Sequence, residues 1–435
     1  MTGREIAVQA LLNCEKRNAW SDAYLNGLLL KEKPDRREAA LGYRIFAGVL
    51  QNREACDWYL APYLRGKIQP EVRAILRSAV YQLAFLDKIP ASAAVNEAVE
   101  LAKRQTNPGA AKLVNAVLRR LTAGELPELP SGGEAESLSV RYSRPREWTE
   151  YYLELLGEEK TRLLLEADNT PAPIYLRVNR LKADPDEALA ALREDGVEAK
   201  PAAMADFFTA EQTGAVTGLR AFREGLVTVQ DPAAALPALA SGVMPGMQVL
   251  DACAAPGGKS FLLAQMMENR GSILACDLHE NKLRRIREGA ERLGVTNLDT
   301  MAQDARQPDV SLTARFDVVL ADVPCSGLGV VRKKPEIRYK SRAEIAPLPE
   351  TQLAILNGLC RCVKPGGTLM YSTCTVVREE NEGVTAHFLE RHSEFERAPL
   401  ELPQPFGTVD CGERTIWPFE YDTDGFFLCR MVRKK

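Results

Sequence analysis

Two cysteines in the second half of the chain stand where a thiol could act as a nucleophile. Cys325 follows Pro324 just after the apolar run 316–322, and Cys374 follows the run 366–373. If these runs are neighbouring strands, both thiols lie at the mouth of one sheet and could share a pocket. Only the thiolate attacks, so such a site needs a nearby positive charge or a helix N-terminus.

Most of the other cysteines carry no such signal. The chain has ten cysteines but no Cys-x-x-Cys pair, and its three histidines lie near no cysteine pair with zinc-finger spacing. We therefore expect neither a disulfide framework nor a metal site. Cys253 is expected to pack beside the turn described next. Small, buried, hydrophobic roles are predicted for Cys14, Cys56, Cys276, Cys360, Cys362 and Cys429.

A glycine-bearing turn could bind a ligand. A strand-like run, Val249-Leu-Asp251, leads into Cys253-Ala254-Ala255-Pro256-Gly257-Gly258-Lys259, and a helix-like run follows at 261–268. Strand, tight turn and helix form the opening unit of a nucleotide-binding α/β sheet. Because glycine has no Cβ atom, a ligand could approach the backbone closely at these two residues. The alternative is an ordinary βα turn, since a glycine-rich turn alone is a weak signal.

Four acids stand at apparent strand ends. Asp251, Asp277 and Asp322 end strand-like runs, and Asp304 follows another. Ligands in open α/β sheets bind outside the carboxyl ends of the strands. Carboxylates there suit ribose hydroxyls, an exocyclic amine or a positively charged group. A single acid of this kind could equally be a helix N-cap or a turn residue, but four after four strands favour a ligand site.

The elements that must position these groups divide the chain. Residues 1–123 have apolar side chains at helical spacing and predict an all-helical bundle. Residues 124–139 are rich in glycine, proline and acids and predict a linker. Residues 140–236 predict a small α+β subdomain, and the strand–helix alternation of 237–435 predicts a mainly parallel sheet. Helix boundaries in the bundle are predicted near Pro34, Pro62, Pro70, Pro90 and Pro108.

Two basic segments could hold RNA through phosphate pairing and base stacking. The first is Arg141, Arg144 and Arg146 interleaved with Tyr142 and Trp148, and a capped helix start would explain it equally well. The second is Arg332, Lys333, Lys334 and Arg338, just after Cys325. A solvated loop is the alternative there.

The overall composition is that of an ordinary globular protein. The 435 residues are 46% hydrophobic and carry a net charge of -3, so any nucleic-acid surface must be a local patch. No apolar run approaches the ~20 residues that cross a bilayer, and the first residues do not resemble a signal peptide. We expect a cytoplasmic monomer without membrane contact.

Several segments resemble known families. Cys253–Lys259, Asp322-Val-Pro-Cys325 and Ser372-Thr-Cys-Thr375 with Glu380-Asn-Glu382 resemble the S-adenosylmethionine-dependent RNA cytosine-5 methyltransferases. In the first half, Pro90–Lys103 and Leu113–Arg120 resemble the NusB family of helical RNA-binding proteins. The order of the two parts is similar to that of the bacterial small-subunit rRNA members, the Sun/Fmu group. The resemblance implies a multidomain protein with an all-α NusB-like bundle, a small α+β subdomain and a Rossmann-like α/β methyltransferase domain.

The resemblance also implies residue roles. The substrate would be carbon 5 of a cytosine in small-subunit (16S) rRNA. Cys374 would add to carbon 6, Cys325 would assist proton loss and product release, and Asp322 would contact the base. Lys259 is the most plausible nearby cation.

The methyl donor is implied to be S-adenosyl-L-methionine, lying over the turn 253–259. Asp277 would hold the ribose hydroxyls and Asp304 the adenine amine. Asp322 is also implied to bind the cofactor. The target base must leave any stack to reach such a pocket, so a loop or a splayed nucleotide is expected.

Alternatives stay open on the sequence. In cytosine-5 DNA methyltransferases the Pro-Cys thiol is the nucleophile, which would give that role to Cys325. The RNA could be tRNA, or the chain could be an RNA-binding assembly factor without catalysis. A nicotinamide-dependent dehydrogenase is a further alternative, but its dinucleotide-binding turn typically has the sequence Gly-x-Gly-x-x-Gly. The turn here is Ala-Ala-Pro-Gly-Gly.

Overall fold

The computed structural model describes residues 1–17, 21–211 and 213–435. This part of the chain forms two compact units. The first is Met1–Thr170 together with Val331–Ser341, and the second is Pro171–Val330 together with Arg342–Lys435. The segment directly after the Pro-Cys loop therefore belongs to the unit built by the first part of the chain.

The first unit is built of α-helices around one apolar core. Asp35 and Asn107 cap two of them, because each side chain accepts hydrogen bonds from backbone N–H groups of the first turn. The five prolines predicted to mark helix boundaries all lie at or just beyond a helix end. The helices are α1 (Gly3–Arg17), α2 (Ser21–Glu32), α3 (Arg36–Gln51), α4 (Arg53–Leu60), α5 (Pro70–Phe85), α6 (Ala91–Gln105), α7 (Pro108–Leu121), α8 (Ala135–Tyr142) and α9 (Arg146–Ala167).

Two glycines fit this packing for different reasons. A Cβ atom at Gly48 in α3 would lie 1.9 Å from the ring of Tyr81 in α5, so the two helices approach too closely for any side chain. Gly157 interrupts α9 with a φ of 74°, a left-handed conformation that glycine adopts without steric cost. The helix is therefore kinked at that residue.

The predicted linker is wrong at its C-terminal end. α8 begins at Ala135, inside the predicted 124–139, and its residue Leu138 is fully buried. α8 and α9 also belong to the first compact unit, although the α+β subdomain was expected to begin at 140. The apolar side chains after Gly133 outweigh the acids that suggested a solvated linker.

The second unit contains a small antiparallel sheet in the order β2-β3-β1-β4. Its mixture of strands and helices agrees with the small α+β subdomain predicted for this part of the chain. A capping box between Asp184 and Glu187 starts its first helix. The elements are β1 (Ile174–Val178), α10 (Pro185–Glu194), β2 (Glu198–Pro201), β3 (Phe207–Glu211), α11 (Arg220–Arg223) and β4 (Val227–Val229).

The rest of the second unit is a larger α/β layer structure. Its elements are α12 (Pro232–Leu239), β5 (Gln248–Asp251), α13 (Gly258–Met266), β6 (Ser272–Asp277), α14 (Glu280–Leu293), β7 (Leu298–Ala302), β8 (Phe316–Asp322), α15 (Arg342–Ile345), α16 (Leu348–Leu359), β9 (Val363–Thr373), α17 (Glu382–Arg391), β10 (Phe395–Arg397), β11 (Leu400–Glu401), β12 (Thr408–Val409), β13 (Glu413–Ile416), α18 (Pro418–Tyr421) and β14 (Phe426–Arg433).

The large sheet has the order β10-β14-β9-β8-β5-β6-β7, and β13 pairs with β14. Strands β5 to β9 are parallel, while β14 is antiparallel to β9. Its central strands are apolar and buried, as parallel strands covered on both faces must be. The predicted mainly parallel, Rossmann-like sheet is confirmed. The chain winds outward from β5 in one direction and from β8 in the other, so the β5/β8 boundary is the switch point where such sheets bind ligands.

Candidate active site

The site begins at the turn that joins β5 to α13. Gly257 has a φ of 108°, and a Cβ atom there would lie 2.4 Å from the Phe261 ring. Glycine is therefore needed for both conformation and space. The turn also lies against the end of β6, because the Ala254 N–H donates to the Cys276 carbonyl oxygen at 2.7 Å.

Asp251 ties the end of β5 to the first turn of α13. Its side chain is buried, and the Ser260 hydroxyl donates to Oδ2 at 2.6 Å. Burial raises the pKa of Asp251 to about 7, although the bond from Ser260 opposes the shift. Asp251 therefore supports the turn from inside the protein.

Lys259 supplies the predicted positive charge. Its Nζ lies 2.6 Å from Asp322 Oδ2 at the end of β8, and the Ser372 hydroxyl of β9 donates to Asp322 Oδ1 at 2.8 Å. Burial acts to lower the pKa of Lys259, but the charge of Asp322 and the hydrogen bond to it outweigh burial, and the pKa is raised. Lys259 is thus a cation held at the switch point.

The two predicted cysteines lie together. Cys325 Sγ and Cys374 Sγ are 3.2 Å apart. The hydrogen bond between them is the main reason that the pKa of Cys374 is lowered and that of Cys325 is raised. The surrounding charges act on Cys374 in both directions, because Asp322 raises its pKa and Lys259 lowers it, whereas Glu380 raises the pKa of Cys325. Of the two thiols, Cys374 is therefore the easier to ionise.

The two remaining predicted acids lie at the same edge of the sheet. Asp277 is 6% exposed, and its Oδ1 accepts from the His279 N–H at 3.1 Å and lies 3.2 Å from Lys282 Nζ. Asp304 pairs with Arg306, with Oδ2 2.7 Å from Nη2, and this hydrogen bonding lowers the pKa of Asp304. Asp277 ends β6, the neighbour of β5, and Asp304 follows β7, which pairs with β6.

The other cysteines lie mainly in apolar packing. Cys253 packs against the core beneath the turn, and burial raises its pKa, so the predicted packing role fits. Of the six predicted to be small and buried, only Cys14 is not fully buried, and it lies against the helical core. Cys411, which the sequence did not distinguish, is exposed.

Several residues that hold the two thiol loops were missed. Asn381 accepts a hydrogen bond from the Thr373 hydroxyl at 2.6 Å and donates to the Thr375 carbonyl oxygen at 3.0 Å, so it fixes the backbone on both sides of Cys374. Glu380 and Gln352 make comparable contacts beside Cys325. The segment Glu380-Asn-Glu382 was noted but given no role, and Gln352 carried no sequence signal.

The expectation that the basic segments hold RNA is wrong for their buried members. Trp148 is fully buried, and Nε1 donates to the Lys340 carbonyl oxygen at 2.6 Å. Arg144 is 2% exposed and pairs with Asp168. The structural alternative therefore holds for these two residues.

Arg338, from the second basic segment, is also 2% exposed. Its Nη1 donates to the Gln51 carbonyl oxygen and to Asn169 Oδ1, both at 2.8 Å. Beside it, the Tyr339 hydroxyl donates to the Leu50 carbonyl oxygen at 2.7 Å. These two side chains anchor the segment 331–341 within the first unit, so Arg338 is not available to a phosphate.

Family models match most of the chain. A NusB family model matches residues 1–123, a model described as the ferredoxin-like domain of RsmF/B-like methyltransferases matches 145–216, and one described as 16S rRNA methyltransferase RsmB/F matches 242–432. The "Probable ribosomal RNA small subunit methyltransferase B" of Bacillus subtilis (strain 168) is 37% identical, over 99% of this chain and 98% of its own length. The chain belongs to the RsmB/F family of 16S rRNA methyltransferases.

Solved structures support the fold of this RsmB/F family member. The crystal structure titled "PH0851" aligns with a TM-score of 0.83 and 28% identity, covering 100% of this chain and 98% of its own. A methyltransferase homologue from Pyrococcus horikoshii aligns with a TM-score of 0.60 and 30% identity, covering 70% of this chain and 100% of its own. The ferredoxin-like model begins inside α8–α9, which cluster with the first unit, so the exact domain boundaries in this region stay a prediction.

The methyl donor of this RsmB/F family member is S-adenosyl-L-methionine. The site has a suitable set of groups, since a ribose diol, an adenine amine and a sulfonium cation all favour carboxylate partners. At the same turn, a Cβ atom at Gly258 would only touch the Gln230 amide nitrogen, 3.6 Å away, so the backbone there is less crowded than at Gly257. Among the described residues, no group of three or more His, Cys, Asp or Glu side chains is placed to hold a metal ion. No helix in that part of the chain is long and apolar enough to cross a membrane.

Proposed function

We propose that the protein methylates carbon 5 of a cytosine in 16S rRNA through a covalent adduct between Cys374 and carbon 6 of the base. The observation that carries this proposal is the Sγ–Sγ distance of 3.2 Å between Cys325 and Cys374, with Lys259 favouring charge on Cys374. Two thiols in contact, of which Cys374 is the easier to ionise, can provide a nucleophile and a proton-transfer group in one place.

The chemistry requires this pair because carbon 5 of cytosine is a poor nucleophile. Addition of the Cys374 thiolate to carbon 6 breaks the aromatic ring system and places electron density on carbon 5. Carbon 5 then takes the methyl group from the sulfonium of the donor, whose carbon–sulfur bond breaks. Loss of the proton from carbon 5 restores the ring double bond and expels Cys374 from carbon 6.

Cys325 is suited to the release step. Before the reaction, its hydrogen bond to Cys374 is the largest cause of its raised pKa. Once Cys374 is bonded to carbon 6 it is an uncharged thioether, and this cause disappears. Cys325 can then pass its proton to nitrogen 3 of the adduct and, as a thiolate, accept the proton from carbon 5. Until the adduct forms, the hydrogen bond to Cys374 keeps the pKa of Cys325 raised.

Asp322 and Lys259 would serve the base. The Asp322 carboxylate accepts a hydrogen bond from the cytosine amine or from nitrogen 3 once the adduct is protonated there. Lys259 and Ser372 fix the orientation of that carboxylate. The positive charge of Lys259 also stabilises the thiolate of Cys374.

The donor would be held along the edge of β5, β6 and β7. The turn 253–259 would carry the adenosine, with Asp277 on the ribose hydroxyls and Asp304 on the adenine amine. For Asp304 this contact must compete with Arg306, whose backbone N–H and guanidinium donate to both carboxylate oxygens.

The test compares wild type, Cys374→Ala and Cys325→Ala with 16S rRNA and a labelled methyl donor, read by methyl transfer and by denaturing gel. Cys374→Ala should give neither product nor adduct, and Cys325→Ala should accumulate a gel-stable protein–RNA adduct. An adduct that survives loss of Cys374 would make Cys325 the nucleophile and refute the assignment. Methyl transfer to tRNA but not to 16S rRNA would refute the substrate.

A further inference from the structure

One buried amide controls the backbone on both sides of Cys325. Gln352 in α16 is 0% exposed, and its Nε2 donates to the Pro324 carbonyl oxygen at 3.0 Å and to Glu380 Oε2 at 2.9 Å. The same carboxylate oxygen accepts the Ser326 N–H at 2.8 Å. Gln352 and Glu380 thus hold the carbonyl group that precedes Cys325 and the N–H group that follows it.

The same frame extends to the loop of Cys374. The hydroxyl groups of Ser326 and Thr375 lie 2.7 Å apart, and the Gly329 N–H donates to the Cys374 carbonyl oxygen at 3.0 Å. Glu380 itself is placed from β9, since the Tyr371 hydroxyl donates to its carbonyl oxygen at 2.6 Å. The Sγ–Sγ distance is therefore set by a hydrogen-bonded frame in which Gln352 is the side chain contributed by α16.

We propose that Gln352 is a positioning residue for the release step, holding the Cys325 thiol where it can accept the carbon-5 proton. The inference rests on the proposed function, because it assigns Cys325 to release and Cys374 to addition. Of the two thiol loops, Gln352 contacts that of Cys325, through the Pro324 carbonyl oxygen. Its loss should therefore impair release more than addition or methyl transfer.

The chemistry at Gln352 requires a donor. Both of its partners are acceptors, one of them a buried carboxylate, so only the NH₂ face of the amide satisfies them. Methionine has a similar length and no donor, whereas glutamate would bring a second carboxylate against Glu380. A buried hydrogen bond to a charged acceptor is among the stronger ones in proteins, and removing one partner leaves the others with an uncompensated desolvation cost. The loop should then relax away from Cys374.

The experiment uses Gln352→Met in the full-length protein with 16S rRNA and labelled methyl donor. We expect multiple-turnover methylation to fall about tenfold or more, the size that loss of such a bond gives. The methyl group should still be transferred in a single turnover, and a protein–RNA adduct should persist on a denaturing gel. Gln352→Met should therefore show the same slow release and retained adduct as Cys325→Ala, to a smaller extent.

Thr385→Val is the matched control for a purely structural effect. Thr385 is also 0% exposed, and its hydroxyl bonds to Glu413 Oε2 at 2.9 Å and to the Glu382 carbonyl oxygen at 3.3 Å, neither of which belongs to a thiol loop. Its variant should lose stability without accumulating adduct. A Gln352→Met variant that behaves like Thr385→Val, with single-turnover transfer and adduct lowered together, would overturn the inference.

Failure of the inference and failure of the proposed function give different results. If Cys325→Ala accumulates adduct while Gln352→Met releases its product at the wild-type rate, only the role of Gln352 is refuted. If neither Cys325→Ala nor Gln352→Met yields an adduct and Cys374→Ala still transfers methyl groups, the proposed function itself is refuted.

Discussion

Replacing Cys325 by alanine should make Cys374 harder to ionise. The two sulfur atoms lie 3.2 Å apart, and the hydrogen bond that the Cys325 thiol can donate to an ionised Cys374 is the largest cause of the lowered Cys374 pKa. Alanine removes the donor and leaves the opposing effects of burial and of the Asp322 charge in place. The Cys374 pKa should therefore rise in Cys325→Ala.

The expected size follows from the strength of the lost bond. A hydrogen bond to a charged group contributes about 1.5–3 kcal/mol, and one pKa unit corresponds to about 1.4 kcal/mol. At a pH below its midpoint, Cys374 should thus be alkylated about 10–100-fold more slowly in Cys325→Ala. Lys259 remains and limits the rise in pKa, since its charge still favours the thiolate.

Residue-resolved alkylation measures this shift. The protein is treated with iodoacetamide across a pH series, and modification of each cysteine is followed by peptide mass spectrometry. Wild-type Cys374 should react with a midpoint below its ordinary pKa of 9.0. The midpoint should move upward in Cys325→Ala. Deeply buried thiols such as Cys56 and Cys429, whose pKa values are raised, serve as slow internal references.

Cys325→Ser is the matched control, because a hydroxyl group can still donate to the thiolate. It should shift the Cys374 midpoint less than Cys325→Ala does. The reasoning is refuted if the midpoint stays unchanged or falls in Cys325→Ala. It is equally refuted if Cys325, and not Cys374, is the more acidic thiol of the wild-type protein.

Three further substitutions should change the pKa of Cys374 or the stability of the protein. Lys259→Met leaves the Asp322 carboxylate without its cation, and should raise the Cys374 pKa and lower the free energy of unfolding in urea by about 3 kcal/mol. Asp251→Asn should flatten the pH dependence of stability. Because the pKa of Asp251 is raised to about 7, the folded protein holds this proton more tightly than the unfolded chain does. The free energy of unfolding of the wild type should therefore fall by up to about 4 kcal/mol as the pH rises from about 4 to about 7. Arg338→Met should lower the urea unfolding free energy by about 3 kcal/mol, because buried carbonyl oxygens lose their donor.

Each of these has a result that contradicts it. An unchanged Cys374 midpoint in Lys259→Met would show that the thiolate does not depend on that cation. Equal pH slopes for Asp251→Asn and wild type would show that Asp251 is ionised throughout. Arg146→Met is the control for Arg338→Met, since the Arg146 side chain is 65% exposed. Equal unfolding curves for the two arginine variants would contradict the anchoring role of Arg338.

The chemistry of the site was predictable because it depends on short segments next to strand ends. Asp251, Asp322 and Cys374 follow apolar runs, and parallel strands bring their carboxyl ends to one edge of the sheet. The period of the apolar side chains was sufficient to identify the helical first part and the parallel sheet. Lys259 could be proposed as the nearby cation because it directly follows the two glycines of the turn, at the start of the next helix.

What could not be predicted depends on contacts between distant parts of the chain. Arg338 and Trp148 have the residue types of an RNA surface, yet each donates to backbone carbonyl groups far away in sequence. Gln352 is one polar residue in a largely apolar helix, and only the fold brings it to the Pro-Cys loop. A local sequence pattern indicates which side chains could take part in chemistry. It does not indicate which of them are instead buried in contacts with distant parts of the chain.

The central claim is that Cys374 bonds to carbon 6 of a cytosine in 16S rRNA. The most direct measurement uses 16S rRNA that contains 5-fluorocytidine, since fluorine at carbon 5 cannot leave as a proton does and the adduct is retained after methyl transfer. The covalent complex is digested, and the cross-linked peptide is sequenced by mass spectrometry. Our account predicts a single nucleotide attached to Cys374 in the segment 372–375. Attachment at Cys325, or methylation of unsubstituted 16S rRNA without any retained complex on the fluorinated RNA, would contradict it.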